Sequence, residues 1–197
     1  MAGTFAPLPA GYRKMMLVPF GEFVPLKRLL FFVGPLVQAV SDFSSGEDPR
    51  VFDIGGARRV SVAICYESVY PWIGRAFTLR GSELLATVTN DAWFSRSSAA
   101  YQHFDQGVVR AVEEGRYVVR AANTGISGAV DPYGRVLATT ELFTSTAIVV
   151  DVRLLSDRTI YSRIGDVVVW ISLAVGLGVL LLPRRRPLGR NQVELAG

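Results

Sequence analysis

The chain has 197 residues and a formal net charge of +4, which Arg184, Arg185, Arg186 and Arg190 alone match, so the rest is close to neutral and offers no basic, aromatic-studded face for nucleic acid. Half of the residues are hydrophobic and the mean hydropathy is positive, which calls for a membrane-active segment. One cysteine excludes an internal disulfide and a cysteine-rich zinc site, and one histidine argues against a histidine-based one, so neither metal nor cofactor is expected.

Met1 to Gly11 is rich in proline and glycine and lacks the pattern of a signal peptide. Tyr12 to Phe20 reads as a strand entering the turn Pro19-Phe20-Gly21-Glu22. Leu29 to Val40 is an uncharged run broken by Gly34-Pro35, too short to span a bilayer, and reads as a core helix or a loop dipping into the membrane interface. Ser41 to Pro49 is a polar loop. VFDIGG and RRVSVAIC then form a hairpin about Gly55-Gly56. Pro71 to Arg80 is a helix, Leu84 to Thr89 a strand ending at Asn90-Asp91, and Tyr117 to Ala122 another strand. Between the last two, Ser97 to Arg116 has helical spacing, with Phe104, Val108, Ala111 and Val112 on one side. Ile126 to Val130 and Val136 to Thr139 flank a turn at Asp131-Pro132-Tyr133-Gly134, and Ala147 to Val152 reads as a last strand.

Val167 to Leu182 is a run of sixteen uncharged residues, followed by Pro183 and three arginines. A helix of that length is about 24 Å long, somewhat short of a bilayer core, and its ends can extend by snorkelling of Arg163 and Arg184. It reads as a transmembrane helix whose basic flank, Arg184 to Gly197, lies in the cytoplasm. That orientation puts the preceding domain on the outer side.

In a layered α/β domain, polar residues at strand ends collect along one edge of the sheet, where sites form. Cys65, Tyr66 and Glu67 end one apolar strand and Asn90-Asp91 another. Lys14 opens the segment KMMLVPFGE, and Glu22 closes its turn. Lysine is one of only two in a chain with nineteen arginines, which suits a site needing a compact ammonium. A cation or a helix N-terminus beside Cys65 would favour its thiolate, and a strand-to-helix turn would aim backbone N–H groups at an oxyanion. Both suit acyl transfer through a thioester. Glu22 and Glu67 could each serve as the base or as a hydrogen-bond acceptor behind the site. His103 reads as a hydrogen-bonded helix residue. Asn90, Asp91 and Trp93 read as a site wall, and Asn123-Thr124-Gly125 as a turn beside it.

Together YRKMMLVPFGEFVPL, ICYESVYP, NDAWFSRSSAAYQHF and RAANTGISGAVDPYGRV resemble the apolipoprotein N-acyltransferases, membrane-embedded members of the nitrilase (carbon–nitrogen hydrolase) superfamily. The resemblance runs from Tyr12 to the terminal apolar helix. It implies an α/β fold, a partial nitrilase-like αββα sandwich over residues 1–160, a transmembrane helix over 161–183 and a basic tail over 184–197. It implies Cys65 as nucleophile and Lys14 as the triad lysine, with Glu22, Tyr66 and Glu67 in support. The implied reaction moves an acyl chain from a phospholipid, through a Cys65 thioester, to the N-terminal amine of a diacylglyceryl-cysteine apolipoprotein. The implied setting is a bacterial inner membrane, with the catalytic domain on the periplasmic side.

The family's triad glutamate lies on a strand before the lysine segment, and no acidic residue precedes Lys14 here. The expectation is therefore an inactive C-terminal part of a longer enzyme. Two other readings stand beside it: a membrane-anchored amidase acting on a small amide, and a non-catalytic remnant.

Overall fold

The computed structural model describes residues 11–19, 21–22 and 43–181. In chain order these contain β1 (Val51–Asp53), β2 (Arg59–Ile64), a 3-10 turn (Cys65–Val69) and α1 (Pro71–Leu79). There follow β3 (Leu84–Thr89), a second 3-10 turn (Asp91–Phe94), α2 (Ser98–Glu114), β4 (Val118–Ala122), β5 (Gly128–Val130), β6 (Val136–Thr139), α3 (Ile160–Ile164) and α4 (Val167–Leu181).

The six strands form one mixed sheet in the order β1 to β6. β2, β3 and β4 run parallel, and β1, β5 and β6 each join antiparallel. The hairpin between β1 and β2 closes on Gly55 and Gly56, which take φ of 95° and 64° as a tight turn demands. Parallel neighbours need crossovers, and α1 and α2 supply them. Pro71 starts α1, where a missing N–H costs nothing. Ser97 caps α2 by accepting from the Ala99 N–H. The C-terminal ends of all three parallel strands therefore open on the same edge of the sheet.

Strand alternation divides the two faces. Ser61, Leu85, Thr87, Val118 and Arg120 are buried. They share the core with Ile73 and Phe77 of α1, and with Ala100, Phe104 and Ala111 of α2. Val88 and Leu137, on the strands, remain 44% exposed. The chain thus supplies one mixed sheet with a helical layer, an α/β arrangement.

Several sequence expectations need correction. Tyr12 to Pro19 makes no strand beyond an isolated bridge at Pro19, and Phe20 lies outside the described residues. The N–H groups of Met15 and Met16 point to the Glu67 carboxylate and that of Val18 to Glu22, so they are not available to a ladder. Ala147 to Val152 also forms no strand. Its composition favours β structure, but no described edge pairs with it, and Val149 is 97% exposed. On α2 the buried stripe is Ala100, Phe104, Gly107, Ala111 and Glu114, and Val112 turns outward. Leu29 to Val40 lies outside the described residues.

The described chain divides into two compact units, the first ending at Gly165 and the second starting at Asp166. Gly165, with φ of 64°, ends α3, so residues 161–164 belong to a separate short helix. In the second unit α4 has fifteen residues, all of them apolar, small or hydroxylic, and none is buried. No helix among the described residues is long and apolar enough to cross a membrane. Of the expected span over 161–183, the described residues contain the end of α3 and the fifteen residues of α4, about 22 Å, and residues 182–183 lie outside the described residues.

Candidate active site

β2 ends and the chain turns sharply at Cys65. Its φ of 56° is left-handed, a region that costs a side-chain-bearing residue roughly 1–2 kcal/mol. The turn that follows is a single 3-10 helix, and Cys65 sits at its first position, half-buried, with its thiol free. Strain of this kind persists only where neighbours hold it.

Glu67 is the principal neighbour. It is fully buried. Its Oε2 accepts from the Ile64 N–H at 2.7 Å, closing the turn from within. Its Oε1 accepts from the Met15 N–H and, at 3.3 Å, the Met16 N–H. The Tyr12 hydroxyl donates to both oxygens, at 2.9 and 3.0 Å. One carboxylate therefore ties the residue after Lys14 to the residue before Cys65. Its desolvation is offset by this set of donors, which charge-assisted bonds make strong. The partnership also raises the Tyr12 hydroxyl's pKa, through burial first, then the Glu67 charge and the hydrogen bond to it.

Lys14 Nζ donates to both oxygens of Glu22, at 2.6 and 2.7 Å. Glu22 Oε2 also accepts from the Val18 N–H at 2.8 Å, and the Glu22 N–H donates to the Val18 carbonyl at the same distance. The turn thus carries its own cation. The Lys14 side chain is only 11% exposed, so its ammonium is largely withdrawn from water. Behind it, the Gly46 N–H donates to the Lys14 carbonyl at 2.7 Å. A Cβ at Gly46 would stand 2.3 Å from the Arg13 oxygen, so only glycine permits this approach.

A second buried network lies on the other side of Cys65. His103, on α2, brings Nε2 to 3.3 Å from the Cys65 carbonyl oxygen and 3.2 Å from Ser68 Oγ. Its Nδ1 lies 3.0 Å from Asp91 Oδ1 and 2.9 Å from an Arg120 nitrogen. Arg120 donates to Asp91 Oδ2 at 2.6 Å, and Thr89 Oγ1 donates to Oδ1 at 2.8 Å. Burial pushes the Asp91 carboxyl up. The hydrogen bond with His103, the Arg120 charge and the Thr89 hydroxyl outweigh it and hold the pKa at about 2. Tyr66 packs over His103 with ring centroids 6.0 Å apart, and Phe94 meets it edge-on at 5.5 Å.

All five residues expected from the sequence are thus among the described residues. Glu67 joins the Lys14 and Cys65 segments directly, and Lys14 pairs with Glu22. Tyr66 is 37% exposed beside the turn. Asp91 is buried within the network rather than on a wall, and Trp93 is 82% exposed. Tyr12, Ser68 and Arg120 did not stand out in the sequence. Ser68 could have been found at three residues past Cys65, within one turn. Arg120, an arginine inside an apolar strand, was a signal for a buried partner. Among the described residues no group of histidine, cysteine and carboxylate side chains could hold a metal.

Residues 4–158 match the family model for carbon-nitrogen hydrolases. The chain is 44% identical over 173 residues to the apolipoprotein N-acyltransferase of Geobacter metallireducens, covering 88% of this chain and 33% of that protein. It is 39% identical over 175 residues to the apolipoprotein N-acyltransferase of Thermotoga maritima, covering 89% of this chain and 35% of that protein. The chain therefore spans about a third of the length of these relatives. Among solved structures, a mutant of the Nesterenkonia sp. AN1 amidase, in which acrylamide has added to the active-site cysteine, aligns with a TM-score of 0.52. That alignment has 22% identity and covers 83% of this chain and 57% of the amidase, a likeness of fold. The chain belongs to the carbon-nitrogen hydrolase family.

Proposed function

We propose that this chain is part of an acyltransferase that carries an acyl group on Cys65. The acyl group comes from a phospholipid and passes to the N-terminal amine of a diacylglyceryl-cysteine apolipoprotein. The observation that carries the reading is the Glu67 carboxylate, which binds the main chain on both sides of the chemistry, beside Lys14 and beside Cys65. The apolipoprotein N-acyltransferases at 39–44% identity support the substrate class.

In the proposed reaction the Cys65 thiolate attacks the ester carbonyl of the lipid. The carbonyl oxygen gains negative charge, stabilised by Lys14 and the Tyr66 N–H. The intermediate then collapses to a thioester and expels the lysophospholipid alkoxide, which takes up a proton. The amine of the acceptor attacks the thioester, an amide forms and the thiolate leaves. Both halves need a base. Glu22 already serves Lys14 and the Val18 N–H, and Glu67 serves Tyr12, Ile64, Met15 and Met16. The reading therefore assigns the base to a carboxylate other than these two.

The same reading gives α4 a place in a bilayer. Its apolar surface is exposed along its whole length, and Ser172 donates its hydroxyl to the Val168 carbonyl, which hides the polar group within the helix. The basic residues after it in the sequence favour a cytoplasmic C-terminus, with Cys65 on the periplasmic side of a bacterial inner membrane.

The test is incubation of the chain with a diacyl phospholipid in mixed micelles, followed by intact mass and peptide mapping. An acyl group on Cys65, removable by hydroxylamine and absent from Cys65→Ser, is the expected result. Release of ammonia from small amides, with no lipid-derived adduct, would turn the assignment toward an amidase.

A further inference from the structure

The proposed oxyanion donor is the Tyr66 N–H, and its direction must be fixed by something other than the reacting thiol. The Cys65 carbonyl and the Tyr66 N–H belong to one planar trans peptide, so they point in opposite directions. Whatever holds the carbonyl aims the N–H. Ser68 Oγ donates to that carbonyl at 3.2 Å, and His103 Nε2 stands 3.3 Å from it.

A carbonyl oxygen can only accept, so the bond to Cys65 puts a proton on Nε2. Arg120 can only donate, and its nitrogen, 2.9 Å away, supplies Nδ1 with its hydrogen bond. Asp91 Oδ1 lies 3.0 Å from the same Nδ1, so a neutral ring protonated there would donate to Asp91 and leave Nε2 to accept from Ser68 Oγ, 3.2 Å away. The form that serves the Cys65 carbonyl is the one with Nε2–H. His103, Asp91 and Arg120 are 3%, 2% and 6% exposed. Burying an ion pair costs several kcal/mol that only good partners offset, and an apolar side chain would fill this space without that cost. Here the pair converges on a histidine whose far nitrogen meets one main-chain oxygen. Donors on a carbonyl also polarise its amide, which strengthens the N–H on the other side as a donor.

We propose that His103, gripped by Asp91 and Arg120, is a positioning residue that aims the Tyr66 N–H at the oxyanion through the Cys65–Tyr66 peptide. The proposal rests on the reading of Cys65 as an acyl-accepting nucleophile.

The chain has a single cysteine, so two reagents separate the claims. A p-nitrophenyl ester acylates Cys65 through an oxyanion: the S–C bond forms, p-nitrophenolate leaves and the thiol proton passes to buffer. Iodoacetamide alkylates the same sulfur by displacing iodide, with no oxyanion. In the full chain in detergent, His103→Leu is expected to slow acylation about 100-fold while alkylation changes less than about threefold. His103→Gln, which returns an N–H near Nε2, is expected to recover most of the loss. Asp91→Asn, which keeps the shape but loosens the grip, is expected to show a smaller selective loss. Labelling cysteine with carbonyl 13C and tyrosine with 15N yields one amide peak, from Cys65–Tyr66, and His103→Leu should shift it in both dimensions.

A parallel fall of acylation and alkylation, or an unmoved peak, overturns the positioning role. A wild-type chain that is alkylated but never acylated overturns the reading of Cys65 itself, and the positioning role with it.

Discussion

Gly125 and Asp91 are in such close contact that a Cβ on the glycine would stand 2.2 Å from Asp91 Oδ2, the oxygen that Arg120 holds. The turn Asn123-Thr124-Gly125 is therefore part of the clamp on Asp91. Gly125→Ala should displace the carboxylate from Arg120 and cost about 2–4 kcal/mol, read from the urea midpoint. A double-mutant cycle with Asp91→Asn should give a coupling of at least about 1 kcal/mol, and additive effects would count against the contact.

Glu67→Gln keeps the volume of the side chain but replaces one acceptor oxygen with a donor. The Ile64 N–H faces Oε2 and the Met15 N–H faces Oε1, so either orientation sets a donor against a donor. The expected loss is about 2–4 kcal/mol in urea unfolding, with faster amide exchange at Ile64 and Met15. Unchanged exchange at both amides would show that the carboxylate does not join the two segments.

Lys14→Arg preserves the charge and replaces a compact ammonium by a planar fork. The Lys14 side chain is only 11% exposed, so the wider fork must displace its neighbours, and stability should fall by no more than about 1–3 kcal/mol. Acylation of Cys65 by an activated ester should nevertheless fall at least about 100-fold. Retained acylation in this variant would remove Lys14 from the oxyanion site.

Glu114 is fully buried, and among the described residues neither of its oxygens makes a hydrogen bond of good geometry. Burial, with the neighbouring Glu113 charge, raises its pKa to about 7, against smaller opposing pulls from Thr78, Arg110 and Arg116. A raised folded pKa means that this group's contribution is complete below the unfolded value of 4.5 and is lost as pH rises through about 7. The first unit should lose roughly 2–3 kcal/mol between about pH 5 and pH 8 from this residue. Glu114→Gln should flatten that stretch of the stability–pH curve, measured by urea unfolding at fixed pH intervals.

Much of the sheet was legible because its strands are short apolar runs between turn residues. β3 runs over Leu84–Thr89 as expected, and the two hairpins close on the glycines that marked them. Tyr12 to Pro19 misled because its apolar pattern resembles a strand, while its amides are claimed by carboxylates distant in sequence. No local period encodes Glu67 reaching back 52 residues to Met15. Ala147 to Val152 misled for the opposite reason: strand propensity is present, but pairing requires an edge. At the site, Cys65, Lys14 and Glu22 stood out as residue types in unusual places. His103 and Asp91 were visible but not their union, because α2 brings them together across the edge of the sheet.

The left-handed turn at Cys65 sets fold stability against chemistry at a single codon. Glycine is the residue that this backbone prefers, and Cys65→Gly should leave the protein more stable by about 1 kcal/mol while removing its thiol. A screen for expression or heat resistance would then enrich the sequence without the thiol. On the proposed reading of Cys65 as nucleophile, selection on that reaction is what opposes the loss that folding alone would favour.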